Sequence, residues 1–429
     1  MKLDVEGSEI YRLAEEIYPI CRSITGAGVR ETLSILGNYI PLEIKEVATG
    51  TSVFDWTVPH EWVIRQAYIA QSDGKRVVDF RDHSLHVLNY SAPVRQRMGL
   101  ADLKPHLFSL PEQPDVIPYR TSYYEKNWGF CLSHNQLEAL PDDTYDVVID
   151  SDFISGSLAW GEYLHKGESS DEVLLSAHIC HPSLANDNCS GLALLTRLAA
   201  NLAGRRTRYS YRFLFAPGTI GAITWLAMNE ERTDRICNGL VLSCVGDGGG
   251  PTYKQSRRGD AMVDRAMRHI IMHAGLAGTV VPFSPYGYDE RQYCSPGFNL
   301  PVGLFQRSAF GSFPEYHTSA DNMDFIDPAH LATSYGLVQE WMNILECDRV
   351  MINLYPKGEP QLGRRGLYAS IGGEQMTPMH RMAMLWVLNL SDGEHTLLDI
   401  ADRAELPFRV IQDAATRLEA AEVVCDARR

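Results

Sequence analysis

The stretch SAHICHPSLANDNCSG, residues 176–191, combines residue types that bind metal ions. His178 ends an apolar run that predicts a buried strand, and Asp187 follows in the NDN loop before the next apolar run. A third candidate, His317, lies in the later phrase EYHTSADNMDF. Imidazole nitrogens and a carboxylate that leave one position open are typical ligands of a hydrolytic zinc site. The alternative is that Asp187 caps the helix beginning near Ser190 and that His178 is a core histidine.

The other polar residues of this stretch fit supporting roles better. His181 precedes Pro182 and is predicted to be a loop residue or to lie behind the ligands. Cys180 and Cys189 are alternative zinc ligands, and strand alternation puts Cys180 on the same side as His178. Thiolate-rich zinc sites are typically closed and structural, so the histidine and carboxylate set is preferred.

Hydrolysis at such a site also needs a carboxylate that takes a proton from water and passes it to the leaving amine. Glu315 lies two residues before His317, so in an extended segment both side chains share a face. Glu290, in YGYDERQYCSPG, lies in a polar loop that could reach the same strand ends. Both glutamates are predicted catalytic candidates. In the alternative, Glu315 faces solvent, while Asp289 and Glu290 are loop surface or partners of Arg291.

Three further side chains are predicted to bind the substrate. Arg291, Arg307 and Tyr316 could hold a substrate carboxylate or polarise its carbonyl, since a guanidinium group binds a carboxylate through two hydrogen bonds. The alternative is that they pair with nearby acids. The segment CRSITGAG, residues 21–28, is predicted to build an ordered turn, with shaping of the active-site rim as its alternative.

Buried apolar strands alternate with amphipathic helices after residue 145, as in EVLLSAHI followed by GLALLTRLAANL. This order predicts an α/β fold with a mixed, largely parallel sheet covered by helices. Ligands of such sheets bind at the carboxyl ends of the strands, where SAHICH, FAPGT, SCVGD and FQRS lie. The candidate residues are therefore expected to meet at one edge of the sheet.

The character of the sequence changes along the chain. The predicted parts are 1–49 with 146–355 as the α/β domain, 50–145 as a β-rich insertion, 355–372 as a linker and 373–429 as a winged helix. The insertion has short aromatic and β-branched runs separated by turn residues. Beyond the Gly- and Pro-rich linker come three short helices, and Pro407 opens the third.

Composition limits the partners. The chain has 429 residues, of which 45% are hydrophobic and 22% charged, as in a globular protein of two or three domains. Without a signal-peptide core or an apolar run near the ~20 residues that span a bilayer, a cytoplasmic protein with no membrane contact is predicted. Nine scattered cysteines without a CxxC pair fit reduced thiols.

The charge distribution bears on macromolecular partners. A net charge of -15 argues against a large nucleic-acid-binding surface on the whole chain, so nucleic acid is not expected as a partner, although a local basic patch stays open. The predicted recognition segment PFRVIQDAATRLEAAEVV has only Arg409 and Arg417 among several acids, which is poor for binding phosphates. A homo-oligomer is possible, with residues 50–145 as the contact surface or as a lid.

Several long phrases resemble a bacterial aminopeptidase-like family with an inserted β domain and a C-terminal winged helix. They are YPICRSITGAGVRETL, PYRTSYYEKNWGFCL, SAHICHPSLANDNCSG, YHTSADNMDFI and KGEPQLGRRGLY. The order of a strand-ending His, DNxSG at a helix start and a late His is more distantly similar to the zinc aminopeptidase and glutaminyl cyclase superfamily. The resemblance implies that His178 binds the metal, that Asp187 bridges or binds it, and that His317 is the ligand from the last loop.

The chain departs from the superfamily pattern in two places. A Glu–Glu pair, one the general base and the other a ligand, normally follows the next strand, where this chain has APGT, residues 216–219. A further ligand aspartate normally follows the strand after that, and here Asp247 is a shifted possible substitute. With these departures, the resemblance implies one zinc ion held by His178, Asp187 and His317.

The predicted function is a zinc-dependent hydrolase of a peptide or small amide, of the exopeptidase or deacylase type. In it, water activated by the metal attacks the carbonyl. The alternative is a catalytically weak or inactive peptidase-like protein that senses a ligand, regulates or serves as a scaffold. Its winged helix would then make protein or DNA contacts. The missing carboxylate pair favours this alternative, and the metal-ligand set favours the hydrolase.

Overall fold

The computed structural model describes residues 2–367 and 377–428. The last residues of the predicted linker, 368–372, and the first of the predicted winged helix, 373–376, lie outside the described residues. The chain divides into two compact units, which are described separately. The first comprises Met1–Ala261 with Thr279–Gly336, and the second Met262–Gly278 with Leu337–Arg429.

The first unit is built from short strands and a few helices. Its strands are β1 Glu43–Ala48, β2 Ser52–Val53, β3 Trp56–Thr57, β4 Glu61–Ala70, β5 Arg76–Asp79, β6 Val94–Gly99, β7 Leu107–Phe108, β8 Phe130–Cys131, β9 Thr144–Ile154, β10 Ser157–His165, β11 Glu172–His178, β12 Ser210–Ala216, β13 Ile236–Leu242, β14 Thr252–Lys254, β15 Thr279–Val281 and β16 Val302–Gln306. The helices of the chain up to residue 347 are α1 Lys2–Ile17, α2 Ala27–Leu36, α3 Leu100–Leu103, α4 His134–Glu138, α5 Gly191–Leu202, α6 Ile220–Met228, α7 Met262–His273, α8 Glu290–Tyr293 and α9 Pro328–Cys347. The helix α7 belongs to the second unit, and α9 passes from the first unit into the second.

An eight-stranded mixed sheet is the centre of the first unit, with the order β1-β10-β12-β11-β13-β16-β14-β15. Strands β12, β11, β13 and β16 are parallel, while β1, β10 and β14 add antiparallel pairs. The predicted fold class, a mixed and largely parallel sheet covered by helices, is confirmed. All seven residues of β11 and all seven of β12 are buried, because apolar side chains on both faces pack against the covering layers.

The carboxyl ends of the central strands carry the segments that the sequence singled out. The strand β11 ends at His178, β12 at Ala216 before the APGT turn, and β16 just before Arg307. After β11 the chain crosses to β12 on one side of it, and β13 lies on the other. This reversal opens a crevice at the end of β11, which is where open α/β sheets bind ligands.

The amino end of β11 holds a buried network of ions. Arg212 binds both carboxylate oxygens of Glu172, at 2.6 and 2.9 Å, and also Glu162 Oε1 at 2.7 Å. Glu162 also accepts hydrogen bonds from Lys45 Nζ at 3.0 Å and Trp225 Nε1 at 2.7 Å. Every charge in this network therefore faces an opposite charge.

A second sheet, in the order β5-β4-β9-β6, forms most of the predicted β-rich insertion. The strand β9 begins at Thr144 and continues to Ile154, so it crosses the predicted boundary at residue 145. The boundary itself stays a prediction. The inserted region contacts the loop that carries His317. Pro118 forms a bridge with Thr318, and Tyr119 N donates to His317 O at 2.7 Å.

The second unit contains three C-terminal helices and a small sheet. The helices are α10 Pro378–Leu390, α11 Leu397–Ala404 and α12 Phe408–Ala420, and the strands are β17 Val350–Asn353, β18 Asp392–Thr396 and β19 Val424–Asp426. The sheet order is β18-β17-β19, with antiparallel pairs. Pro407 precedes α12 as predicted, and Arg409 on α12 pairs with Glu340. Because β17 pairs with the strands that follow the linker, the predicted boundary at residue 355 stays open to test.

None of the helices in the described part of the chain is both long and apolar enough to cross a membrane.

Candidate metal centre

A fully buried carboxylate, Asp187, lies between the imidazoles of several histidines. Asp187 Oδ1 is 2.8 Å from His178 Nε2, and Asp187 Oδ2 is 3.0 Å from His317 Nε2. The Nε2 atom of His181 lies 3.9 Å from Asp187 Oδ2. The three residues predicted as ligands therefore come together in the structure, with His181 beside them.

The main chain around Asp187 explains how the carboxylate is aimed at the histidines. Residues Ala185–Ser190 form an irregular turn before α5, and the N–H groups of Asn186 and Asp187 donate to the two carboxylate oxygens of Asp321. Asn188 Oδ1 accepts a hydrogen bond from Gly191 N at the start of α5. The helix-cap alternative for Asp187 is therefore wrong, because the neighbouring asparagine binds the end of the helix.

Burial and neighbouring groups act against each other on Asp187 and His181. Burial would raise the pKa of Asp187, but His181, His178 and the hydrogen bonds from His178 and His317 hold that pKa well below its usual range. Burial drives the pKa of His181 well below its ordinary value, against the pull of Asp187. The arrangement places an ionised carboxylate beside the neutral imidazole of His181, which suits a bound cation.

The donor atoms fit zinc by type and spacing. One donor atom from each of His178, His181 and Asp187 lies within 4.8 Å of the other two. Nitrogen and carboxylate oxygen are the donors of hydrolytic zinc sites. Sequence reasoning assigned His181 only a supporting role, although its position three residues after His178 is compatible with a second imidazole donor at the same centre. The chain bends after β11, and the two imidazole centroids lie 4.7 Å apart.

Asp247, the possible fourth ligand, is occupied elsewhere. Its carboxylate accepts hydrogen bonds from Asn186 Nδ2 at 2.8 Å and Ser308 Oγ at 2.6 Å. Gly249 N donates to it as well, at 2.7 Å. These contacts link the loop that carries Asn186 and Asp187 to the loop after β16. The carboxylate of Asp247 therefore holds these loops together.

The two predicted catalytic glutamates lie in local structures that differ from the prediction. Glu315 is in a turn, and His317 has a φ of 57°, so the expectation of an extended segment with a shared face is wrong. Glu290 begins the short helix α8 and is fully buried, which corrects its expected place in a polar loop. Its Oε1 atom binds Lys254 Nζ at 2.8 Å. The catalytic role of either glutamate stays a prediction.

The predicted substrate-binding residues are spread over the site and its surroundings. Tyr316 stacks on His317 with centroids 3.9 Å apart, so its ring adjoins a predicted ligand. Arg291 follows Glu290 on α8. Arg307 is buried near Asp247 and donates to His330 O at 3.5 Å, and burial lowers its pKa. The contacts of Arg307 therefore connect it with the Asp247 loops.

Two residues that the sequence did not select border the centre. The ring of Tyr288 stacks on His178 with centroids 4.7 Å apart and an interplanar angle of 16°, and its hydroxyl lies 3.3 Å from that of Tyr316. The next residue, Asp289, is fully buried, and neither of its carboxylate oxygens has a hydrogen-bond partner among the described residues. Burial raises the pKa of Asp289 to about 7. Such a buried carboxylate beside a metal centre is a functional candidate.

The turn at residues 21–28 contacts the segment between β11 and α5, which carries His181 and Cys189. Arg22 is buried and donates through Nε to His181 O at 2.8 Å, through Nη1 to Ile17 O, and through Nη2 to Cys189 Sγ at 3.1 Å. Burial raises the pKa of the Cys180 and Cys189 thiols, to about 12 for Cys180. The predicted structural role of the turn agrees with these contacts, and the two cysteines are held as thiols.

Comparison with known proteins matches both parts of the chain. The family DUF4910, a domain of unknown function, matches residues 11–348, and a winged helix-turn-helix family matches residues 349–426. A protein of Clostridium acetobutylicum, provisionally named as a polysaccharide biosynthesis protein with an aminopeptidase-like domain, is 52% identical over 418 residues. The match covers 97% of this chain and 96% of that protein.

Solved structures share the fold. A provisionally named peptidase from Clostridium acetobutylicum has a TM-score of 0.94 at 50% identity, over 99% of this chain and 97% of that one. A zinc aminopeptidase from Bacillus subtilis has a TM-score of 0.59 at 13% identity, over 79% of this chain and 94% of that one. The predicted resemblance to the zinc aminopeptidases and the predicted C-terminal winged helix are thereby confirmed.

Proposed function

The chain belongs to the DUF4910 family, and from that premise we propose that it is a zinc-dependent hydrolase of a peptide or small amide. Its fold is aminopeptidase-like. The observation that carries the proposal is the convergence of His178 and His317, from different loops, on the buried carboxylate of Asp187. Open α/β sheets bind their ligands at the carboxyl ends of the strands, which is where this carboxylate and the two histidines meet.

One zinc ion would be held by His178, Asp187 and His317, with His181 as a further nitrogen within reach. Once bound, it would polarise a carbonyl group and promote attack by water. The phenol groups of Tyr288 and Tyr316 lie against the ligand imidazoles, so they could orient the substrate carbonyl. We keep Arg291 and Arg307 as proposed substrate contacts, with Arg291 favoured because it lies next to the Tyr288–Glu290 segment.

The proposed substrate is a peptide or a small amide. Peptides are the substrates of aminopeptidases, and the name of the Clostridium acetobutylicum relative refers to polysaccharide biosynthesis. An amide carried by a sugar or a sugar conjugate therefore belongs in any substrate screen. We propose a panel that combines aminoacyl p-nitroanilides, dipeptides and N-acetylated amino sugars.

Metal analysis of the purified full-length chain tests the proposal. We expect about one zinc per chain, lost in His178→Ala and Asp187→Ala because each removes a donor atom from the set. A matched control is His86→Ala, which removes another buried histidine, one that binds Cys131 O at 2.8 Å outside the centre. A wild-type chain that takes up no zinc, or variants that keep it, would overturn the proposal.

A second function is favoured by one observation, the run APGT at residues 216–219, where the superfamily has its carboxylate pair. A peptidase-like domain without a proton acceptor would bind a ligand and not cleave it. Zinc binding without cleavage of any amide in the panel, together with measurable binding of one of them, would support this sensing or scaffold function.

A further inference from the structure

We propose that Asp289 is the catalytic carboxylate of this centre, supplied by a different segment from the one that carries it in the resembled superfamily. The inference rests on the proposed hydrolase function. In this assignment, Asp289 accepts a proton from the attacking water and delivers it to the leaving nitrogen. It replaces the predicted candidates Glu315 and Glu290 in that role.

The space beside His178 shows why a carboxylate can reach the site from elsewhere. A Cβ atom at Gly218 would lie 3.1 Å from His178 Cβ and 3.5 Å from Asp289 Oδ1. Gly218 belongs to the APGT run that follows β12, where the superfamily pattern has acids. Because Gly218 has no side chain, the space beside His178 is left open. The carboxylate of Asp289 borders this space.

The orientation of Asp289 is not explained by a structural role. An aspartate immediately before a helix usually accepts a hydrogen bond from a backbone N–H of the first turn. The side chain of Asp289 makes no such bond to α8, and both oxygens are buried without a hydrogen-bond partner in the described parts of the chain. An unpartnered buried carboxylate costs stability, and a partner that arrives with the substrate would offset that cost.

The residues on either side of Asp289 fix its position. Tyr288 stacks on His178, and Glu290 binds Lys254 on β14. Tyr293, at the end of α8, lies with its hydroxyl 2.9 Å from Ser176 Oγ on β11. The segment is thus attached to the sheet at three points, two of them on the strand that carries His178. Pre-organisation of this kind is what a proton-transfer group requires.

Burial is the largest influence on the carboxyl group of Asp289 and raises its pKa to about 7. Three ionisable groups act on it as well: His178 and Arg291 favour its ionised form, and Glu290 favours its protonated form.

The reaction balances without another reactant. The oxygen of water forms a bond to the carbonyl carbon while one water proton passes to Asp289. The C–N bond then breaks as Asp289 returns that proton to the nitrogen. The products are a carboxylic acid and an amine, and the carboxylate of Asp289 is regenerated.

The test uses Asp289→Asn and Asp289→Ala in the zinc-loaded full-length chain. With an amide from the panel that the wild type cleaves, we expect kcat to fall about 10²–10⁴-fold with little change in KM or zinc content. Added formate should partly restore kcat in Asp289→Ala, since it can occupy the space of the lost carboxylate. Asp234→Asn, at an exposed acid of the same unit, is the control for handling and should match the wild type.

A binding measurement keeps the inference testable if no panel amide is cleaved. L-Leucine hydroxamate should bind the zinc-loaded wild type, and Asp289→Asn should bind it about 10-fold or more weakly, because the hydroxamate loses its proton acceptor. Zinc uptake with equal hydroxamate affinity in both proteins, or cleavage by Asp289→Asn within about 3-fold of the wild type, would overturn the role of Asp289. If the wild type takes up no zinc, the proposed hydrolase function itself is wrong.

Discussion

The two ends of β11 bury charge in opposite ways. At the amino end, Glu172 and Glu162 share Arg212, and every charged group has an opposite charge beside it. At the carboxyl end, about 20 Å away for a strand of this length, Asp187 is buried among histidines and Asp289 is buried without a hydrogen-bond partner among the described residues. A satisfied network holds the sheet together, whereas an unsatisfied one is where a cation and a substrate can bind.

The pKa shifts differ within the carboxyl end as well as between the two ends. At the amino end, burial would raise the pKa of Glu162, yet the Trp225 hydrogen bond, Arg212 and Lys45 bring it below its usual value. At the carboxyl end, the neighbouring histidines hold the pKa of Asp187 well below its usual range, whereas burial raises the pKa of Asp321 to about 8 and that of Asp289 to about 7. The pKa of a buried carboxyl group is therefore lowered where its partners outweigh burial, and raised where burial outweighs them.

Removing the shared cation should produce the largest loss of stability. In Arg212→Met, Glu162 and Glu172 remain buried without their guanidinium partner, so we expect the free energy of unfolding to fall by about 3–5 kcal/mol. Urea denaturation measures this change. Arg212→Met combined with Glu162→Gln and Glu172→Gln should recover part of the loss, and a fall below about 1 kcal/mol would contradict the structural role of the network.

Adding a cation at the other end should stabilise the chain by somewhat less. Zinc at 100 times its dissociation constant should add about 2.7 kcal/mol to the free energy of unfolding, because it binds the folded state. In Asp187→Asn the added zinc should have little effect, since the central carboxylate is absent. Thermal melts with zinc and with a chelator measure both proteins, and an equal zinc effect in the two would break the contrast between the ends of β11.

The pH dependence of stability should show the contribution of the ion network at the amino end of β11. Because the pKa of Glu162 is lowered in the folded state, its contribution is complete above the unfolded pKa of about 4.3 and is lost as pH falls through the folded value. Between pH 6 and pH 3 the wild type should therefore lose more stability than Glu162→Gln. Parallel urea titrations give the two curves, and identical slopes would count against the assigned shift.

The smallest effect is expected at the rim of the same network. Lys45 binds Glu162 at 3.0 Å, but its side chain is 36% exposed. Lys45→Met should lower the free energy of unfolding by about 0.5–1 kcal/mol, since water screens a partly exposed ion pair. A loss comparable with that of Arg212→Met would mean that the network depends on its rim as much as on its centre.

Sequence reasoning brought the proposed ligands together because their positions depend on strand order. His178 and Asp187 flank the end of one buried strand, and His317 precedes the last long helix, so the α/β pattern was enough to bring them together. The same pattern predicted the sheet, since its central strands are continuous apolar runs. These are properties that a sequence expresses locally.

The proton acceptor was beyond that reasoning. Glu290 and Asp289 are adjacent, and only the direction of the short helix α8 decides that Glu290 turns to Lys254 while Asp289 faces Gly218. Glu315 was predicted from an extended segment, but the left-handed backbone of His317 makes that segment a turn. Contacts between segments that are far apart in the chain set these side-chain orientations. The hydrophobic periodicity of the sequence does not predict such contacts.

The attachment of the inserted region to the ligand loop has a consequence for protein engineering. Tyr119 N is bonded to His317 O, its ring lies 5.0 Å from that of His317, and Ser319 N is bonded to Ile117 O. A chimera that replaces residues 50–145 with a foreign sheet would therefore remove contacts that position His317. The insertion and the late histidine loop should be transplanted together, as one cassette.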